Sequence, residues 1–167
     1  MSELRTIGLT SLKMGNIAVD GGMGTTLAVI GNIYKDSCEL SQEDASVTDI
    51  EAEEVDDPVE SIEILGKRSL KFSIMDYTPD TLVKVLGGTV TGTSPKVWNA
   101  PTTSPNIEQS IEIITPKGVK INIVRCKIMG KITAKFTKTG VALVEVTAKI
   151  LTPTKAATAP IMITTTT

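Results

Sequence analysis

The sequence predicts a mainly β protein: an antiparallel β-sandwich or barrel with one short flanking α-helix. Three observations lead there. Of the 167 residues, 24 are Thr, 19 Ile and 14 Val, so 57 carry a branched Cβ, which loses freedom in a helix and packs well on a pleated surface. The last third of the chain alternates apolar and polar residues with a period of two, the repeat of a strand with one wet face. Only residues 79–86 carry helix start and stop signals. One compact domain is expected at 17.7 kDa, with folding removing roughly 69% of the extended chain's surface.

Residues 1–26 are punctuated by Gly8, Gly15, Gly21, Gly22 and Gly24 without a sustained period, which predicts an N-terminal arm. The run LAVIGNIY, residues 27–34, reads as the first core strand, with Gly31 marking a bulge or a close backbone approach. Residues 35–63 hold 12 of the 19 carboxylates and one basic residue, Lys35. Disorder is the plain reading of such a run. Against it, Val47, Ile50, Val55, Val59 and Ile62 recur through the segment, and Asp49, Glu51 and Glu53 alternate as on one strand face. A long, partly exposed hairpin or ordered loop is therefore expected, becoming fully fixed when a partner covers it.

Residues 62–65 and 70–77 read as two strands around a Gly66-Lys67-Arg68 turn. Thr78 then suits an N-cap and Pro79 the first helical position. Asp80 complements the positive end of the dipole, and Gly87-Gly88 ends the helix after Leu86. Leu82, Val83, Val85 and Leu86 form one apolar stripe, so this eight-residue helix must dock on the sheet. Residues 91–106 hold three prolines and Trp98, the single tryptophan, predicting an irregular crossover anchored by the indole. Residues 107–115 form a strand with Ile111 and Ile113 on one face, and Pro116-Lys117-Gly118 turns the chain into Val119, Ile121 and Ile123. Ile132, Ala134 and Phe136 make a further face, followed by a turn at Lys138-Thr139-Gly140. Val144, Val146, Ala148 and Ile150 then oppose Leu143, Glu145, Thr147 and Lys149. Pro153 ends the pattern and opens a flexible C-terminal arm, 153–167. The expected organisation is thus an arm (1–26), a β domain (27–152) and a second arm.

Composition excludes much chemistry. There is no His, which removes the commonest general base, a common metal ligand and every Ser/His or Cys/His pair. Cys38 and Cys126 form no CxxC; they read as reduced thiols, with a single bridge as the lesser alternative. The stretch DGGMGTT lacks the Gly-Lys-Ser/Thr ending of a phosphate loop, and the acidic run lacks the EF-hand order, so no cofactor or metal is expected. Five aromatic residues are too few for a sugar cleft or for base stacking. No leader and no span of ~18 apolar residues appears, which predicts a soluble protein made in a cytoplasm. The charge is split: residues 1–63 carry 14 acidic and 3 basic side chains, residues 64–167 carry 5 and 14. Opposite surfaces on identical subunits favour head-to-tail assembly.

The order of these signals resembles the major tail tube protein of long-tailed bacteriophages. The resemblance covers roughly residues 20–153: a glycine-rich arm, a first strand, an acidic hairpin, a strand entering one short helix (FSIMDYTPDTLVKVLGGTV), a Pro-rich crossover with a Trp, then hairpins including ITPKGVKINI and ending in Leu-Thr-Pro. It implies a sandwich or barrel related to the tubes of contractile injection systems. It also implies six-membered rings stacked into a hollow conduit, around a tape-measure protein and later around passing DNA. Tail terminator and baseplate proteins are the further implied partners, and the virion the implied location. No active site comes with the family, so no enzyme is expected.

Asp49, Glu51, Glu53, Glu54, Asp56 and Asp57 are then candidates either to line a lumen that repels phosphates or to meet a basic face on the next ring, and the charge split favours the second. Two other classes are distinguishable. A capsid decoration, baseplate or adhesion module would share the Thr-rich hairpins yet stay monomeric at high concentration. An enzyme using carboxylates alone would show a ring-lined pocket with raised carboxylate pKa values.

Overall fold

A computed structural model of the chain describes residues 3–166; residues 1, 2 and 167, at the outer ends of the two expected arms, lie outside the described residues. In chain order the elements are β1 (Ser11–Gly15), β2 (Ala28–Val29), β3 (Glu39–Gln42), β4 (Ser46–Ala52), β5 (Val55–Ile64), β6 (Arg68–Ile74), α1 (Pro79–Leu86), β7 (Thr89–Thr91), β8 (Val97–Asn99), β9 (Ile107–Ile114), β10 (Val119–Thr133), β11 (Leu143–Ile150) and β12 (Ile161–Thr165). The fold is mainly β and sandwich-like, with antiparallel sheets and one short helix, as predicted.

The alternating last third builds the centre. β9, β10 and β11 pair in antiparallel register, with Ile123 opposite Ile111 and Ile128 opposite Ala148. One face buries Ile111, Ile123, Ile128, Val144, Val146 and Ala148. The principal sheet runs β2-β1-β9-β10-β11-β6-β3, and β12 pairs with the first part of β10. Leu12 and Met14 of β1 join Leu70, Phe72 and Ile74 of β6 in the same core, so the two ends of the sheet curl towards each other. Residues 28–34 stitch them together. Ile30 N–H donates to the Leu12 carbonyl at 3.3 Å, Tyr34 N–H to Ser73 at 2.8 Å, and Asn32 accepts from Met75 N–H at 2.9 Å. Between the two sets of bonds Gly31 has φ 117°, a conformation that L side chains rarely adopt, and a Cβ there would crowd that of Asp76.

Several sequence expectations are corrected. Residues 1–26 are not all arm: SLKMG alternates and enters the sheet as β1, with Leu12 and Met14 buried. The 18–24 turn is also fixed, because Asp20 accepts from Lys155 Nζ at 2.7 Å and from Gly22 N–H at 3.0 Å, and Gly24 N–H donates to Ser110 Oγ. The 27–34 strand reduces to Ala28–Val29 and an isolated bridge at Ile33, since its work is to switch partners midway. The C-terminal segment is not a free arm. β10 has 15 residues, β11 pairs only with its far part from Cys126 onward, and β12 fills the vacant edge at Val119–Ile123. The strand expected through Phe136 stops at Thr133, leaving Phe136 94% exposed.

The helix spans Pro79–Leu86 as expected, with Leu82 and Val85 buried. Thr78 occupies the N-cap position, but its side chain makes no cap bond. Asp76 organises this corner instead. Its carboxylate accepts from Thr81 Oγ1 at 2.7 Å, Thr78 N–H at 3.0 Å and Thr78 Oγ1 at 3.1 Å, and these bonds, the Thr81 hydroxyl foremost, hold its pKa below the usual 3.8. At the other end Trp98 Nε1 donates to the Gly87 carbonyl at 2.9 Å and its ring packs against the core, which is the expected anchor. The crossover is more regular than its prolines suggest, since β7 and β8 pair through Val90 and Trp98.

Folding leaves 11125 Å² accessible, about 40% more than the surface-scaling law gives for this mass. The buried fraction is correspondingly about 57%, not the expected 69%. Every residue from 43 to 65 except Ala52 is exposed and contributes to that excess.

Two measurements check this account. Trp98→Phe keeps a ring but deletes the donor to Gly87, and is expected to lower unfolding free energy by about 1 kcal/mol in urea titrations. A depressed carboxylate stabilises the fold above its unfolded pKa and loses that contribution as pH falls through the folded value. Asp76→Asn is therefore expected to cost about 1 kcal/mol at pH 7, and the gap to wild type to close as pH falls below 3.8.

Candidate functional site

The acidic segment forms a two-stranded ribbon that continues out of the sheet. Gln42 lies opposite Arg68 and Ser46 opposite Ile64, a step of four residues on each strand, so one register runs across the break between β3/β6 and β4/β5. Glu43 N–H donates to the Lys67 carbonyl at 2.9 Å inside the break. Gly66 belongs there because a Cβ would overlap the Glu43 carbonyl. Residues 66–68 are thus a neck in one long ribbon, and the expected hairpin turn between 62–65 and 70–77 is corrected: the two strands run in series. From the neck to its tip the ribbon reaches about 30 Å at strand rise.

All six candidate carboxylates sit on the outer half of this ribbon. Asp49 and Glu51 lie on β4, Glu53 and Glu54 form the turn, and Asp56 and Asp57 lie on β5. Glu53 therefore does not continue the strand alternation of Asp49 and Glu51. The register shifts between Ile50 and Ala52: Ile50 faces Glu60 whereas Ala52 faces Val55, so Asp56, Asp57, Pro58 and Val59 bulge opposite Glu51 alone. Pro58, which has no N–H to give a ladder, sits where the ladder is broken. None of the six makes an ion pair among the described residues.

The two faces of the ribbon differ. Cross-strand partners share a face, so Ile50 with Glu60, Thr48 with Ile62 and Ser46 with Ile64 form one that carries three isoleucines and a single carboxylate among these pairs. Asp49 with Ser61 and Val47 with Glu63 lie on the other, more acidic one. Both are exposed: Ile50, Ile62 and Ile64 show 45%, 46% and 62% of their surface, and Val47 and Val59 even more than Ile50. A lone two-stranded ribbon is marginal in water.

Elsewhere the titratable groups have local explanations. Lys155 holds Asp20 low, Thr81 and Thr78 hold Asp76 low, and Arg125 holds Glu108 low through two bonds of 2.8 and 3.0 Å while also donating to the Thr152 carbonyl. Cys126 is buried with its pKa pushed up to about 12, and burial raises Cys38 too, so neither thiol is activated. Both cysteines are free, the bridge alternative being excluded by the structure. No three His, Cys, Asp or Glu side chains converge as metal ligands among the described residues.

On the body, the wet face of the sheet carries Lys127 directly opposite Lys149, with Lys71 opposite the neighbouring Thr147. None of the three has an ion-pair partner among the described residues. Glu39 lies directly opposite Lys71 and Glu108 directly opposite Lys127, so this face mixes both signs of charge.

Sequence reasoning missed one feature. Between the free edges of β3 and β12 lies a cleft of about 440 Å³ lined by Leu40, Ser41, Gln42, Arg68, Ile161 and Ile163. It adjoins, through Leu40, a larger hollow of about 840 Å³ that reaches Leu12, Leu70 and Ile121 of the core. The alternation of Ile161 and Ile163 was its only signal, set among prolines and threonines. No protein-family model matches the chain, and no curated protein matches it in sequence.

The ribbon buries nothing in its own body. Replacing residues 44–66 by Asn-Gly, which joins the paired Glu43 and Lys67 through a two-residue turn, is expected to leave near-UV circular dichroism unchanged and unfolding free energy within about 1 kcal/mol of wild type, measured by urea titration.

Proposed function

We propose that this chain is a structural subunit that assembles with copies of itself, head to tail, into the stacked rings of a hollow tube of the long-tailed bacteriophage type, through which DNA passes. The observation that carries this reading is the ribbon: about 30 Å of paired strand, isoleucine-bearing on one face and more acidic on the other, with nothing of its own chain to cover it. Every residue from 43 to 65 except Ala52 is exposed, a continuous surface available for contact with another chain. A projecting ribbon and the body of the next copy are different surfaces, and contacts between different surfaces propagate into rings or filaments rather than closing as a dimer. The six-fold ring and the tape-measure, terminator and baseplate partners rest on the sequence resemblance alone.

In this role the chain does mechanical work. The core and the stitched sheet hold a rigid body, the ribbon reaches the next ring, and carboxylates not engaged in that contact repel phosphate, so DNA is conducted without being retained.

Electron microscopy over a protein concentration series is expected to show annuli or hollow filaments at the higher concentrations; solitary particles throughout would sink the reading. Glu51→Lys combined with Glu53→Lys is expected to abolish filaments while circular dichroism stays native. Normal tubes from that variant would remove these carboxylates from the contact between rings.

A further inference from the structure

The cleft between β3 and β12 has no role in the fold itself. Its walls join Leu40, Ile161 and Ile163 to Ser41 and Gln42, with Leu40 39% and Ile163 65% exposed, and a guanidinium, Arg68, stands in it without an ion-pair partner among the described residues. Both flanking strands present free edges, because β3 pairs only with β6 and β12 only with β10. We infer that this cleft receives the ribbon of a second copy of the chain, isoleucine face inward, with Glu60 of one copy paired to Arg68 of the next. The inference rests on the assembly reading above and names the surface that reading leaves open.

Three observations select this occupant. First, the chemistry is complementary: the ribbon face carries Ile50, Ile62 and Ile64 with Glu60, beside Ser46 and Thr48, and the cleft offers Leu40, Ile161 and Ile163 with Arg68, beside Ser41 and Gln42. Desolvating a lone guanidinium in the cleft is costly unless a carboxylate meets it. Second, the polarity agrees. The ribbon leaves the body at the Gln42/Arg68 end of β3 and β6, so a copy displaced along the ribbon is entered from its Leu40 end. The tip advances towards Arg68, and Glu60, nearer the tip than Ile62 and Ile64, arrives there first, with the two isoleucines trailing against Leu40 and Ile163. Third, a ribbon lying in the cleft meets strand edges with unmet backbone donors and acceptors, the condition for strand addition.

The test uses full-length protein in a Cys38→Ser background. Ile62→Cys and Ile163→Cys variants are prepared separately, mixed under assembly conditions and mildly oxidised. A disulfide-linked dimer is expected from the mixture and not from either variant alone, and a chain carrying both changes is expected to give a ladder of covalent oligomers. In parallel, Glu60→Arg and Arg68→Glu are each expected to lower filament yield at least tenfold, and the two together in one chain to restore it. Wild-type filaments without the mixed cross-link, and with no rescue by the charge swap, would overturn this contact while leaving assembly intact. Absence of wild-type filaments at any concentration would overturn the assembly reading and this contact together.

Discussion

Backbone hydrogen bonding at strand edges governs the arrangement of this molecule. A sheet that wraps around one core must close its ladder or leave donors and acceptors facing water. Here one junction is closed by residues 28–34, which pair first with β1 and then with β6 across the kink at Gly31. The opposite junction stays open between β3 and β12. Everything proposed for the chain follows from that asymmetry: a sealed side gives a stable body, and an unsealed one gives a place for another chain.

Charge is separated in sequence and only partly in space. Acidic residues dominate the first 63 positions and basic ones the rest; ten carboxylates, from Glu43 to Glu63, lie on the ribbon or its neck, whereas on the sheet Lys71 faces Glu39 and Lys127 faces Glu108. Like charges directly opposite each other across strands, as at Lys127 and Lys149, weaken a free subunit slightly. Among the ion pairs of the body, Asp20 to Lys155 joins the two outer segments of the chain, and Arg125, paired with Glu108 on the neighbouring central strand, also reaches the Thr152 carbonyl.

How much of this was legible in the sequence depended on whether the signal was local. The helix boundaries, the Trp98 anchor and the buried faces of β9, β10 and β11 follow from spacing over a few residues and were readable. β1 and β12 were not, because five alternating residues between glycines or threonines look like loop until a long neighbour offers an edge. The Thr78 cap was a plausible local reading overridden by a carboxylate two residues earlier, which gathers both threonine hydroxyls. The acidic hairpin was legible as a hairpin from its recurring valines and isoleucines. Its continuity with β3 and β6 was hidden, because Gly66-Lys67-Arg68 has the composition of a turn and only the pairing of Glu43 with Lys67 shows that the strands carry on. The cleft at Arg68 joins residues nearly a hundred positions apart, and no short-range pattern marks it.

The bulge at Pro58 bears on the fibril hazard of an exposed ribbon. Exposed ribbons of matching sequence are the raw material of fibrils, where identical strands zip side by side without limit. On β5 that lateral zipper is interrupted by a residue with no amide proton, preceded by Asp56 and Asp57, so stacked copies would place carboxylate on carboxylate at each layer. Repulsion and a missing donor at one point of the strand thus oppose amyloid-like growth while the isoleucines of the ribbon stay exposed.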